Sequence, residues 1–352
     1  MSFYSLLHER AGNFNWAHYK MILILGVTAS GKGTLAFDLA ESLGAEIISI
    51  DSMKVYRRMD IGTAKPSREA RRQIKHHLID IVEPSDSFSV SAFLDAATDA
   101  AKQINDRNKT VVAVGGTALY IKALLYGLFD GPGTNQQIRS WLKEQADAQG
   151  PDQLHRRLKE IDPDAAARIH PNDAKRIIRA LEVYESTGKT ISSFQQQWAE
   201  NRGQKTEDAG QMFGRAYRES SIRDRVSKHS WTIIGLRRQK DQEGKRINAR
   251  VKTMIAAGLV DEVRALLAEE KPLSQQARCA IGYAEIIDHL AGRIDLDDAV
   301  ELIKKNTRRL AKGQRTWFKT FHNVNWLDIE DQEPPDKTLS RAKTLLENVV
   351  SR

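Results

Sequence analysis

The chain has 352 residues, of which 41% are hydrophobic and 28% charged, with a formal net charge of +8 and a single cysteine. This length and balance suit a globular protein of two or three packed units and exclude a disordered tail or a fibre. One thiol excludes an internal disulfide and a cysteine-cluster zinc site, and no apolar run approaches the roughly 20 residues that span a bilayer.

The first 20 residues, MSFYSLLHERAGNFNWAHYK, lack the uninterrupted apolar stretch of a secretion signal. The sequence thus predicts a cytoplasmic protein with an N-terminal extension over 1–20. MILILG (21–26) is a short apolar run ending in a glycine loop, and GTLAFDLAESLG (33–44) follows with helical spacing and a glycine stop. AEIISI (45–50), HLIDIV (77–82) and TVVAVGG (110–116) read as further strands, with a helix over 89–105. Strands alternating with helices predict an α/β fold, a P-loop-type parallel sheet core with helices on both faces. Residues 134–200 read as a mostly α-helical insertion, 201–230 as a polar variable loop with little periodicity, and WTIIGLRR (231–238) as a return to the sheet. The pattern from 243 to 319 is helical, and NVNWLDI (323–329) reads as a short last strand. The predicted organisation is an extension (1–20), a first core part (21–133), the helical insertion (134–200), the polar loop (201–230), a return to the core with a basic helical part (231–330), and a tail or helix (331–352).

Residues 26–34, GVTASGKGT, carry the spacing of a phosphate-binding loop at Gly26, Gly31 and Lys32. Backbone amides, a helix N-terminus and a lysine between strand and helix form a cradle for two linked phosphates, because all three favour negative charge. The candidate cradle is Gly26, Thr28, Ala29, Ser30, Gly31, Lys32, Gly33 and Thr34. Gly33 stands where a hydroxyl residue normally meets Mg²⁺, which leaves Thr34 or loop-held water to serve and no direct metal ligand. Asp51 and Ser52 follow the second strand at its carboxyl end, the ligand-binding edge of an open α/β sheet. There Asp51 can accept a proton, hold a metal or cap a helix. The fourth strand ends in GGT (115–117) and lacks the acidic residue of motor and switch nucleotide hydrolases, so ATP hydrolysis is not the expected task. Thr117 supplies a hydroxyl at that edge.

At this point the sequence resembles the tRNA dimethylallyltransferase (tRNA isopentenyltransferase, IPP transferase) family. The stretches that carry the resemblance are GVTASGKGTLA, EIISIDSMKVYRRMDIGTAKP, HHLIDIVEPSDSFSV, VGGTALYIKALLYGL, ARIHPNDAKRIIRALEVYESTGK, RINARVKTMIAAGLVDEV, IGYAEII and TRRLAKGQRTWF, in the family's order over about residues 21–329. The resemblance implies transfer of a dimethylallyl group from dimethylallyl diphosphate to the exocyclic amine of the adenosine 3′-adjacent to the anticodon. It implies that the glycine loop holds diphosphate, with Lys32 neutralising it, that Asp51 takes the amine proton, and that Thr117 and Arg139 line the catalytic site. Asp51, Ser52, Met53, Lys54, Lys175, Arg176 and Arg179 would touch tRNA, as would Arg250, with Mg²⁺ as cofactor and a monomer as the working form. The partners implied are a tRNA anticodon stem-loop and dimethylallyl diphosphate, without a membrane.

Lys304, Arg308, Lys312, Arg315 and Lys319 recur at spacings of four, four, three and four, which predicts one basic helical face able to follow a phosphate backbone. Trp317, Phe318 and Trp326 read as core residues, Cys279 as a small buried residue, and His76 and His77 as structural or phosphate-proximal. Three positions depart from the family pattern: Gly33 for Thr, Lys54 for Gln and Gly313 for Arg. Three other readings stand beside this one: prenylation of free AMP or ADP, a P-loop small-molecule kinase suggested by GKGT, and a tRNA-binding protein without catalysis. A helical insertion and a basic C-terminal half argue against the first, since a small nucleotide needs neither.

Overall fold

The computed structural model describes residues 21–127, 131–194 and 231–350. The expected extension over 1–20 and the polar loop over 201–230 lie outside these. Two compact units divide the chain: Met1–Leu125 with Arg223–Arg352, and Tyr126–Ile222.

In the first unit β1 (Met21–Gly26) is buried at every position, as expected for a strand covered on both faces. Helix α1 (Lys32–Leu43) follows and stops at Gly44, whose amide caps the Ala40 and Glu41 carbonyls from a left-handed backbone. Then come β2 (Glu46–Ile50), α2 (Arg68–Gln73), β3 (His76–His77), α3 (Val90–Asp106), β4 (Val111–Gly115) and α4 (Ala118–Tyr126). The second unit contains α5 (Gln136–Gln149), α6 (Pro151–Ile161), α7 (Pro163–Arg168), α8 (Ala174–Thr187) and α9 (Ile191–Phe194) around Leu142, Leu154, Leu158, Ile177 and Leu181. The first unit resumes with β5 (Trp231–Arg237), α10 (Lys240–Ala256), α11 (Leu259–Leu267), α12 (Gln275–Arg278), α13 (Tyr283–Leu290), α14 (Leu296–Phe318), β6 (Val324–Asp328) and α15 (Pro335–Val350).

All six strands pair in parallel in the order β3-β2-β4-β1-β5-β6. The register sets Leu25 and Ile50 each opposite Gly115, so the ends of β1, β2 and β4 are level at one edge. The chain reverses direction across the sheet beside β1 and β4, the place where open α/β sheets bind ligands. No described helix is long and apolar enough to cross a membrane.

The expected third strand over 77–82 is corrected to two residues. Leu78 and Asp80 take positive φ, so the chain leaves the sheet after His77. The Asp80 carboxylate is held by Lys65 and Arg71, and the Ile81 and Val82 amides bond Val55 instead of a sheet neighbour. His76 and His77 are structural here: His77 Nε2 lies 2.8 Å from Glu46 Oε2 and His76 Nδ1 lies 2.7 Å from the Ile74 carbonyl. Cys279 is exposed rather than buried, because it caps the short α12. Of the three expected core aromatics Phe318 is buried, Trp326 is half-buried with Arg237 over its ring, and Trp317 is exposed with the Lys122 ammonium over its ring.

Candidate active site

The loop between β1 and α1 turns sharply enough to put Ala29 and Gly31 at positive φ. Gly31 occupies the N-cap and offers no side chain to it, which leaves first-turn amides of α1 open to an anion at the positive end of the helix dipole. Ser30 is fully buried beneath the loop. Lys32 Nζ donates to the Val27 carbonyl at 3.1 Å and so lies along the loop it belongs to.

Three arginines, one just past β5 and two on α10, fasten this loop. Arg238 Nε donates to the Ser30 carbonyl at 3.0 Å, Arg246 Nε to the Ala29 carbonyl at 2.8 Å, and Arg250 reaches the Thr28 hydroxyl at 3.4 Å. Arg246 and Arg250 are four residues apart on α10, so they share a face. Arg250, expected among the tRNA contacts, thus stands at the glycine loop. Arg238 and Arg246 were not singled out in the sequence; the i, i+4 arginine pair after the fifth strand was the available signal.

The concentration of positive charge shifts the amines. Burial first, then Lys54 and Arg250, push Lys32 down to about 7, while Asp51 pulls it upward. Lys54 is also pushed down, by burial foremost and by Arg250 and Lys65, again against Asp51. Asp51 is therefore close enough to act on both lysines.

Asp51 leaves the end of β2 and folds back on its own backbone: Oδ1 accepts from the Met53 amide at 2.9 Å and the Lys54 amide at 3.2 Å. One oxygen thus organises the turn through Ser52, Met53 and Lys54. Thr117, just past β4, accepts from the Ser52 amide at 3.1 Å and donates its own amide to the Ile50 carbonyl at 3.4 Å. The glycine loop, Asp51 and Thr117 thus converge on the level edge of the sheet. Arg250 also lines a cavity of about 530 Å³ whose wall is mixed, apolar at Ile61 and Met254 and charged at Lys65, Arg68 and Arg71.

In the second unit Arg139 and Arg179 meet on the fully buried Glu182, at 3.0 and 2.8 Å. Arg179 also donates to the Pro132 carbonyl at 2.7 Å. Lys175 and Arg176 are exposed on α8, with Arg176 3.2 Å from Asp173.

The expected basic face of α14 is divided. Lys304 is buried and pairs with Glu301 at 2.6 Å, and Arg315 pairs with buried Glu243, whereas Arg308 and Lys312 are exposed. At about 100° per residue Lys304 and Arg315 lie roughly 20° apart beside buried Ala311 and Phe318, while Lys312 sits about 80° round from Lys304, toward solvent. The spacing placed these cations on one face; in the fold Lys304 is buried beside an exposed Glu301, and the buried carboxylate of Glu243 draws Arg315 inward.

Gly33 and Thr34 are exposed in the first turn of α1, and a Cβ added at Gly33 meets nothing within 4 Å. Gly33→Ser is therefore expected to raise stability by about 0.5 kcal/mol, since serine disfavours a helix less than glycine. An unchanged or lowered urea midpoint would show that the position lacks this freedom.

Comparison with known proteins finds relatives along most of the chain. Residues 54–321 match the IPP transferase family model. The tRNA dimethylallyltransferase of Geobacter metallireducens is 45% identical over 309 residues, covering 88% of this chain and 92% of that protein. A solved tRNA isopentenylpyrophosphate transferase from Bacillus halodurans is 36% identical with a TM-score of 0.65, covering 94% of this chain and 97% of that one. A eukaryotic dimethylallyltransferase captured acting on tRNA is 26% identical with a TM-score of 0.70, covering 94% of this chain and 79% of that one. A phosphate-type loop beside a carboxylate on a parallel sheet, with a match of this extent, leads to one assignment: the chain belongs to the IPP transferase family, the tRNA dimethylallyltransferases.

Proposed function

We propose that the chain transfers the dimethylallyl group of dimethylallyl diphosphate to the exocyclic amine of the adenosine 3′-adjacent to the anticodon of a tRNA in the cytoplasm. The observation that carries this reading is the join between donor and acceptor sides: Thr117 ties the β4 turn to Ser52, next to Asp51, level with the glycine loop. Such a reaction must stabilise a departing diphosphate, exclude water and hold a weak amine in line. Lys32, Arg246 and Arg250 oppose the diphosphate charge, together with the amides of α1. The 530 Å³ cavity offers Ile61, Ala64 and Met254 to a branched five-carbon chain, on a wall that also carries Lys65, Arg68 and Arg71. As the bond from C1 to the diphosphate oxygen breaks, its electron pair leaves with diphosphate, the adenine amine bonds to C1, and the Asp51 carboxylate takes the amine proton. Reaching that amine requires the base to leave its stack, which is easiest in a loop. Lys54, Arg308 and Lys312, with Lys175 and Arg176 in the second unit, are the cations offered to the RNA.

Magnesium is compatible with this donor set. It keeps several waters and needs one or two protein oxygens besides substrate phosphates, which the exposed Thr34 hydroxyl, directly or through water held by the loop, can supply. When bound, it would neutralise diphosphate charge.

The test offers labelled dimethylallyl diphosphate to an anticodon stem-loop with three consecutive adenosines, with AMP as a parallel acceptor. Label in the RNA supports the reading; label in AMP alone, or ATP turnover without prenylation, overturns it.

A pH effect follows from Lys32. Its free amine titrates near 7, and the charge of a bound diphosphate raises that value, so binding favours the protonated form. Affinity for a thiolo analogue of dimethylallyl diphosphate is therefore expected to be highest below about pH 7 and to fall as pH rises through it, with about one proton taken up per binding event near pH 8. Calorimetry in buffers of different ionisation heats reads this uptake directly; it should vanish in Lys32→Met.

A further inference from the structure

We propose that Gln314 is a positioning residue that sets the donor loop against the acceptor carboxylate during transfer, a role that rests on the function proposed above. Its side chain is buried on α14, and its amide is engaged at both ends. Oε1 accepts from the Thr28 amide at 2.8 Å and Nε2 donates to the Gly116 carbonyl at 2.8 Å. Only a side chain with an acceptor and a donor on one planar head satisfies both: a carboxylate would face the Gly116 carbonyl with a second oxygen, and a thioether would leave two backbone groups unpaired.

The two anchored points are the ones the sheet does not fix. Register ends at Gly26 on β1 and at Gly115 on β4, and the chain leaves the ladder immediately after each. Thr28 lies in the donor loop. Gly116 precedes Thr117, which accepts from Ser52 beside Asp51. Gln314 therefore closes a hydrogen-bonded line from the glycine loop, through the β4 turn, to the residue next to the base. The fit is close, since a Cβ at Gly116 would lie 2.5 Å from Gln314 Nε2.

Alignment decides the fate of the carbon that leaves diphosphate. When the adenine amine is in line, that carbon bonds nitrogen and Asp51 takes the proton; when it is not, water takes the carbon, giving dimethylallyl alcohol, diphosphate and a proton. The experiment uses the full chain with Gln314→Met and Gly116→Ala, singly and together, and measures kcat, KM for dimethylallyl diphosphate and the ratio of diphosphate released to RNA prenylated. Each single change is expected to lower kcat about 100-fold, the usual consequence of a shift near 1 Å, with little change in KM and with diphosphate release outrunning prenylation. The double variant should be no worse than the weaker single one, because both disturb one contact. One-to-one coupling at normal kcat, a rise in KM alone, or additive losses would overturn the proposal. Gly116→Ala leaves the glutamine itself intact and decides the question if Gln314→Met does not fold. Failure of the unmodified protein to prenylate the stem-loop would instead overturn the functional reading, so the two failures are distinct.

Discussion

Asp51→Asn is expected to lower single-turnover transfer to the stem-loop by about 1,000-fold, within the usual span for removal of a positioned proton acceptor. Asparagine keeps the oxygen that accepts from Met53 and Lys54, so the turn after β2 survives and unfolding should be unchanged. Asp51→Ala removes base and turn together and should lose an additional 1 kcal/mol or so of stability, the usual loss when a capping oxygen is deleted. The pair of variants separates the local hydrogen-bonding role of this carboxylate from its chemistry. Transfer by Asp51→Asn within tenfold of the unmodified rate would mean that the amine loses its proton elsewhere.

The largest effect on stability is expected at Glu262. Its carboxylate accepts from the amides of Asp60 at 2.9 Å, Ile61 at 2.8 Å and Gly62 at 3.2 Å, and from the Tyr283 hydroxyl at 2.6 Å. One side chain on α11 thereby shapes the loop that lines the 530 Å³ cavity, and the Tyr283 phenol is pushed up in pKa, by burial first and by Glu262 next. Glu262→Ala strands all four donors, and the expected cost is about 3–4 kcal/mol, read as a fall in the urea midpoint. Tyr283→Phe removes one donor and should cost about 1 kcal/mol. Equal effects from the two would show that the loop finds other acceptors when Glu262 is absent. The alanine change should also loosen the cavity, which a rise in KM for dimethylallyl diphosphate would report.

The parallel sheet, the glycine loop and the placement of Asp51 at a strand end were legible in the sequence because each is a local pattern. A buried parallel strand reads as an apolar run, and a phosphate loop is a fixed spacing between such a run and a helix. The short β3 was not legible: HLIDIV is as apolar as a strand, but the turn at Leu78 and Asp80 depends on Lys65 and Arg71. Helical spacing alone put Lys304 and Arg315 with the exposed cations of α14, while helix packing buried Lys304 and the buried carboxylate of Glu243 drew in Arg315. Arg139 and Arg179 were singled out separately, and nothing in their spacing announced that both bind Glu182.

The sequence by itself therefore determined most of the strands and helices, the glycine loop between the first of them and the family the motifs resemble. Only the tertiary structure decided what holds that loop in place. Arg238, Arg246 and Arg250 meet the glycine loop across 208, 217 and 222 residues of chain, and Gln314 meets it across 286. Periodicity and motif spacing act over a turn or a strand, whereas contacts of this span exist only once the sheet has closed its register and α10 and α14 have packed beside it.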